Sequence, residues 1–230
     1  ASGRRRAART YQGFVKARAR WGADLLGSLG AALREATRRA AGDQWRIGGF
    51  VPIAVDGTRI EAPKTVGNEP LGFAGVEKCR PQMTAVLLLH LGARLPWTFE
   101  IGDARDAEQP LMKKMIGRLP AETLLIADAG YVGYDLLSRL REQGQHFLVR
   151  VGSNVRLLTG LGGRREGRDT LWLWPLKQQS EHPPLRLRLI RLGEVWLMTS
   201  VLDPHRLSKA MAGELYRRRW GIELCHRTLK

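Results

Sequence analysis

Cysteine, acidic residues and long apolar runs are all scarce in this sequence, and each scarcity excludes something. Only two cysteines occur among 230 residues, Cys79 and Cys225. They form neither a disulfide framework nor a CxxC pair, which predicts a reducing cytosolic setting. No run of eighteen apolar residues exists, so no membrane-spanning helix is expected. The Arg-rich start is not followed by an apolar stretch, so no secretory signal is expected. Gly72-Phe-Ala-Gly75 lacks the Lys-Ser/Thr that a phosphate-cradling loop needs. There is no internal repeat and no low-complexity linker. The sequence begins with Ala1 and stops at Lys230 inside a helical pattern without a capping signal, so a longer parent chain is expected.

The shortage of acids has a pattern. There are 22 Asp and Glu against 38 Lys and Arg, a net charge of +16. Residues 1–50 hold 11 basic and 3 acidic side chains, residues 51–150 hold 12 and 12, and residues 151–230 hold 15 and 7. The excess therefore sits in two flanks around a neutral middle. Such flanks suit a polyanion, nucleic acid above all; a general enrichment in arginine is the competing explanation.

Hydrophobic spacing predicts the elements. Residues 10–42 read as a helix. Arg4, Arg5, Arg6, Arg9, Arg18 and Arg20 along its start serve equally well as phosphate contacts or as a solvated arm. Strands are expected over 50–56, 83–91, 94–101, 123–127 and 146–151, and helices over 107–118 and 133–143. Three strands, helix, strand, helix, strand is the order of an RNase-H-like α/β fold with a mixed five-stranded sheet. A doubly wound fold would alternate from the start. Residues 153–202 read as a basic, Trp-bearing β insertion, and the last helix is expected from about Ser208 to Lys230. The division predicted is a helical, basic segment over 1–48, a first catalytic-core part over 49–152, a β-rich insertion over 153–204 and a last core helix over 205–230.

On that last helix Tyr216, Arg219, Glu223 and Lys230 stand at relative positions 0, 3, 7 and 14. At roughly 100° per residue they share one arc about 60° wide. Leu215, Ile222 and Leu229 make an apolar stripe beside it. Gly221 costs about 1 kcal/mol relative to Ala inside a helix, so a packing reason is expected. Asp56 is expected at the end of the first strand and Asp128 at the end of the fourth. Neighbouring strands would bring these carboxylates together, with Glu223 arriving from the late helix. Three converging acids repel and raise one another's pKa values. Two hard divalent cations would remove that repulsion while leaving coordination positions for phosphate and water. Read singly, Asp56-Gly57 and Asp128-Ala-Gly130 are equally ordinary turns, and Glu223 is an ordinary surface residue; their order and placement select them.

These motifs resemble the DDE transposases of bacterial insertion sequences, specifically the IS-four family. The signature Y-(2)-R-(3)-E-(6)-K is matched by Tyr216, Arg219, Glu223 and Lys230 without a gap. Asp56-Gly57 resembles the first acid's setting and Asp128-Ala-Gly130-Tyr131 the second's. The 95 residues between Asp128 and Glu223 (223 − 128) match an enlarged spacing filled by a β insertion. The resemblance implies catalysis and Mg²⁺ binding by Asp56, Asp128 and Glu223, with two ions and Mn²⁺ as a substitute. It implies that Tyr216, Arg219 and Lys230 grip double-stranded DNA at transposon ends near the reacting phosphate. It also implies cleavage followed by strand transfer in a bacterial cytoplasm, with a homodimer in the synaptic complex. Trp172, Trp174 and Trp196 are candidates for holding a displaced nucleotide, and at least two of them suit the core of a small sheet better. A nuclease without strand transfer and an inactive DNA-binding remnant are the alternatives.

Cys225-His226 does not read as a zinc site, because adjacent helical residues diverge and no second pair exists. His90, in an apolar strand, reads as a satisfied core histidine.

Overall fold

The computed structural model describes residues 11–73, 80–152, 159–175 and 181–229. The Arg4–Arg9 arm, part of the Gly72–Gly75 stretch, Cys79 and Lys230 lie outside them, as do the side chains of Arg18, Arg20 and Leu229. The described elements are α1 (Tyr11–Ala41), β1 (Val51–Glu61), β2 (Gln82–His90), β3 (Leu95–Asp103), α2 (Glu108–Met115), β4 (Thr123–Ala127), α3 (Tyr134–Glu142), β5 (His146–Val151), β6 (Gly163–Glu166), β7 (Thr170–Leu173), β8 (Leu185–Leu192), β9 (Val195–Thr199), α4 (Lys209–Arg218) and α5 (Trp220–Leu229).

The first five strands form the predicted mixed sheet. β1, β2 and β3 make an antiparallel meander, and β1, β4 and β5 are parallel neighbours. Crossovers through α2 and α3 impose that parallel pairing. The order β3-β2-β1-β4-β5 is the RNase-H-like arrangement. The sheet does not stop at five strands: the full order is β3-β2-β1-β4-β5-β9-β8-β7-β6. The insertion joins the core because β9 pairs antiparallel with β5, covering an edge that would otherwise expose unpaired backbone groups.

Each face buries its own core, as the period-2 alternation of the strands requires. Val51, Ile53 and Val55 face α2 and α3 together with Met112, Met115, Leu136 and Leu140. Phe50, Ala54, Leu124, Ile126 and Leu148 face the other way, under Leu215, Tyr216 and Ile222 of the C-terminal helices. Asp56 and Asp128 continue the second series, so both belong to the face those helices cover.

Two expectations are corrected. β1 does not end at Asp56; it runs on to Glu61, because β2 continues to pair with it beyond the point where β4 stops. The last helix is not continuous: it breaks at Arg219, where Arg219 N donates to Tyr216 O at 3.2 Å and Ile222 N to Arg219 O at 3.0 Å. These three-residue bonds tighten one turn between α4 and α5. Gly221 follows that turn, and a Cβ there would meet only Leu89, at 3.8 Å, so close packing does not require it.

Candidate active site

The β1–β4 register runs from Val51↔Thr123 to Ala54↔Ile126. Extended by two residues on each strand, it sets Asp56 beside Asp128. The predicted juxtaposition of the two acids is therefore present in the backbone. The Asp128 Oδ1 oxygen accepts from Gly130 N at 2.8 Å, capping the short turn over Ala129–Tyr131 and fixing the carboxylate at the strand end.

Glu223 reaches the site from α5. Its Oε1 accepts from Arg219 Nη2 at 3.2 Å. Arg219 is only 6% exposed and sits 5.6 Å from the Tyr216 ring and 5.7 Å from the Trp220 ring. Its Nε is buried without a hydrogen-bond partner among the described residues. Tyr216, Arg219 and Glu223 thus stay together despite the break in the helix, because the break lies at Arg219 itself.

Burial pushes the Asp56 carboxyl up to about 6. Arg219 pulls it down, while the charges of Asp128, Glu108 and Glu223 add to the rise. These carboxylates suit a hard divalent cation, since the donors are oxygens and the repulsion they store is what such an ion relieves. Among the described residues, no three His, Cys, Asp or Glu side chains stand close enough together to hold an ion as they are. Glu223 instead satisfies the buried arginine.

Two more residues enter the site. The His226 Nδ1 nitrogen lies 3.6 Å from Asp56 Oδ2, with His226 buried. Its spacing of three from Glu223 is the signal that places it there. Glu108, the first residue of α2, lies so close over Gly57 that a Cβ at that position would collide with its carboxyl group. The Tyr131 hydroxyl is buried within reach of Glu108, Asp56 and Asp128, yet it forms no hydrogen bond of normal geometry. Burial and those charges hold the phenol protonated. Next in sequence, Gln109 Nε2 donates to Gly130 O at 2.7 Å. The first turn of α2 therefore touches the segments carrying both aspartates.

The sequence matches the family described as "Transposase DDE domain" over residues 48–230. The chain belongs to that family. It is 28% identical over 200 residues to "Transposase InsG for insertion sequence element IS4" from Escherichia coli (strain K12), which bears out the IS-four resemblance. That match covers 79% of this chain and 44% of the relative, so the chain spans less than half of the relative's length. A comparison of folds gives a partial likeness to the "Cryo-EM structure of piggyBac transposase synaptic complex with hairpin DNA (SNHP)" at 11% identity. The TM-score is 0.46, covering 77% of this chain and 40% of that one.

The remaining sequence expectations fall as follows in this DDE domain. His90 is fully buried; its Nδ1 accepts from Ala93 N at 2.9 Å and its Nε2 lies 3.1 Å from Trp45 O. Its neutral form is thereby satisfied, and burial lowers its pKa. Trp196 is 8% exposed, with the Arg165 and Arg191 guanidinium groups 5.2 and 4.5 Å from its ring. Trp172 and Trp174 are half-buried and stack at 6.5 Å, with Trp172 Nε1 donating to Glu166 Oε2 at 2.8 Å. No described helix is long and apolar enough to cross a membrane.

Proposed function

We propose that this DDE domain cleaves duplex DNA at transposon ends and joins the freed ends to target DNA, in a bacterial cytoplasm and in association with the nucleoid. The observation that supports the reading is the register of β1 and β4, which brings Asp56 beside Asp128, with Arg219 at the α4–α5 break paired to Glu223 of α5. Asp56, Asp128 and Glu223 would hold the divalent ions, Mg²⁺ or Mn²⁺ in its place. When bound, such ions supply charge neutralisation at the attacked phosphate and lower the cost of ionising the attacking oxygen.

The chain's own side chains divide the remaining work. Arg219 offers a planar fork with an unused Nε donor, suited to a phosphate oxygen. The Tyr216 ring lies 5.6 Å from that guanidinium, within cation–π range, and would help hold it in place. Lys230, seven residues after Glu223 in sequence, would add a point charge. His226, 3.6 Å from the Asp56 oxygen, would help orient that carboxylate, and Glu223 would leave Arg219 to take a ligand position. A second copy of the chain would complete the synaptic pair, and the four segments divided at 48, 152 and 204 remain part of this reading.

The test is DNA nicking by full-length protein carrying Asp56→Ala, Asp128→Ala or Glu223→Ala. Each variant binds end DNA and fails to nick it. Cleavage at the wild-type rate by any of the three removes that residue from the triad. A strand-transfer assay on pre-nicked ends separates a transposase from a nuclease.

A further inference from the structure

We propose that a groove lined by Arg165, Arg168, Arg188, Arg191 and Lys209 is a docking site for the phosphate backbone of duplex DNA, apart from the carboxylate cluster. This rests on the DNA-processing reading above and adds a second contact region to it. The groove has a volume of about 490 Å³, and Asp169 is the one acid in its wall.

Its cations outnumber the acids near them, Asp169 and Asp203, whose charges both act on Arg188. Some exposed arginines elsewhere sit on carboxylates, as Arg139 on Asp135, Arg118 on Glu100 and Arg206 on Glu122, while others, among them Arg59, Arg94 and Arg150, pair with no described acid; what sets the groove apart is that its cations converge on one space. None of the five groove cations forms an ion pair with a described Asp or Glu. Arg165 and Arg191 are held against Trp196, which fixes their planes and leaves their N–H edges free. Arg188 spends one Nη2 donor on Leu207 O, and its Nε is buried without a partner among the described residues. A buried guanidinium donor lacking an acceptor is costly, and a phosphate oxygen would satisfy it.

The backbone leaves room for this ligand. β7 pairs with β8 only from Leu185 to Arg188, while β9 follows β8 on to Leu192. Beyond Arg188 the outer edge of β8 has no strand partner among the described residues. The turn between β6 and β7 brings Arg168 to that edge, through Gly167 with φ +62°. Trp196 is only 8% exposed, with guanidinium groups 5.2 and 4.5 Å from its ring, and offers no open face to a base. That favours phosphate contacts over single-strand stacking.

The groove also lies on a track from the acids. β9 reverses the direction of β5, and β8 reverses it again, so β4, β5 and β8 end at the same edge of the sheet. One residue beyond Ala127↔Val149 places Asp128 level with Arg150, which pairs with Leu197, which pairs with Ile190. The groove is thus at the height of Asp128 and three strand spacings away, about 14 Å. That distance spans roughly four base pairs. Arg150, exposed, stands between the two.

The experiment measures anisotropy of a labelled DNA duplex in EDTA at several salt concentrations, with wild type and the triple variant R168A/R191A/K209A. All three side chains are exposed, so melting temperatures should agree. Loss of three phosphate contacts lowers the slope of log K against log salt by about 2.7 and weakens binding on the order of 10²-fold at 0.1 M salt. Nicking in Mg²⁺ by the triple variant keeps kcat and raises KM. R168K/R191K, which keeps the charge, retains most of the affinity. Should the triple variant be unstable, R168E alone, in an exposed turn, must weaken binding in the same direction. Unchanged slope and affinity in the folded triple variant, with wild type still binding and nicking, overturns the groove alone. Absence of duplex binding by wild type overturns the groove together with the proposed function.

Discussion

His226 Nδ1 stands 3.6 Å from Asp56 Oδ2, so the helix that carries Glu223 delivers a second ionisable group, from a Cys225-His226 pair that the sequence does not mark as a zinc site, to the first strand's acid. The contact ties α5 to β1 at the point where Asp56 is burdened by burial and by three other carboxylates. What each group contributes can be separated by substitution.

Asp56→Asn should stabilise the metal-free protein. The folded carboxyl is held at about 6, above its ordinary 3.8. The folded state therefore binds the extra proton between those values. The stability this group contributes is complete below about pH 4 and is lost as pH rises through about 6. The gain of the variant over wild type accordingly grows from pH 4 to 6 and is flat above. Partial exposure limits the plateau to about 1–2 kcal/mol. Urea unfolding in EDTA at pH 4.5, 6 and 8 measures it. A gain that shrinks with rising pH would contradict the assignment.

Mg²⁺ should stabilise wild type and leave Asp56→Asn little changed. At an ion concentration ten times the dissociation constant the gain is about 1.4 kcal/mol. Thermal melting with and without Mg²⁺ reads it directly, without any DNA. An equal shift in both proteins would show that Asp56 is not a ligand.

Gly57→Ala should disturb the site without touching an acid. The added methyl meets the Glu108 carboxyl group, the far end of a flexible side chain, and makes it swing aside, costing about 1 kcal/mol or less. Glu108→Ala relieves the clash, so the double variant is more stable than the sum of the single effects, with a coupling of roughly 0.5–1 kcal/mol. Strict additivity in a chemical-denaturation cycle would mean that Glu108 does not occupy that space.

Arg219→Lys should behave almost like Arg219→Ala in nicking. The guanidinium lies 5.6 and 5.7 Å from the Tyr216 and Trp220 rings and donates to Glu223, a combination of planar contact and directed donor that an ammonium does not reproduce. Both variants lose about 1–3 kcal/mol of stability, since Glu223 is left beside the other acids without its cation. Single-turnover nicking on a duplex end checks the chemistry. Full activity of the lysine variant would reduce the role of Arg219 to its charge.

Much of the core was legible because it depends on local pattern. The runs 123–127 and 146–151 are strands in the structure as read, since short apolar stretches bounded by polar turns have few other ways to be buried. The seam of Tyr216, Arg219 and Glu223 was legible from helical spacing, although the helix breaks at Arg219. Glu108 was not legible: it sits far from both aspartates in sequence and reaches them only because α2 crosses back over the sheet. The end of β1 was misplaced because Asp56-Gly57 has the composition of a turn, whereas β2 supplies hydrogen-bonding partners on to Glu61.

The order of elements, the paired aspartates, the signature on the last helix and the basic flanks were determined by the sequence alone, because periodicity, charge and spacing act over short stretches of chain. Tertiary structure decided that the insertion extends the core sheet through β5 and β9. It also decided that Arg219 takes Glu223, that His226 and Glu108 join the acids, and that five cations line one groove. Those outcomes depend on edges, burial and charge between segments distant in sequence, and such energies exist only once the chain has closed on itself.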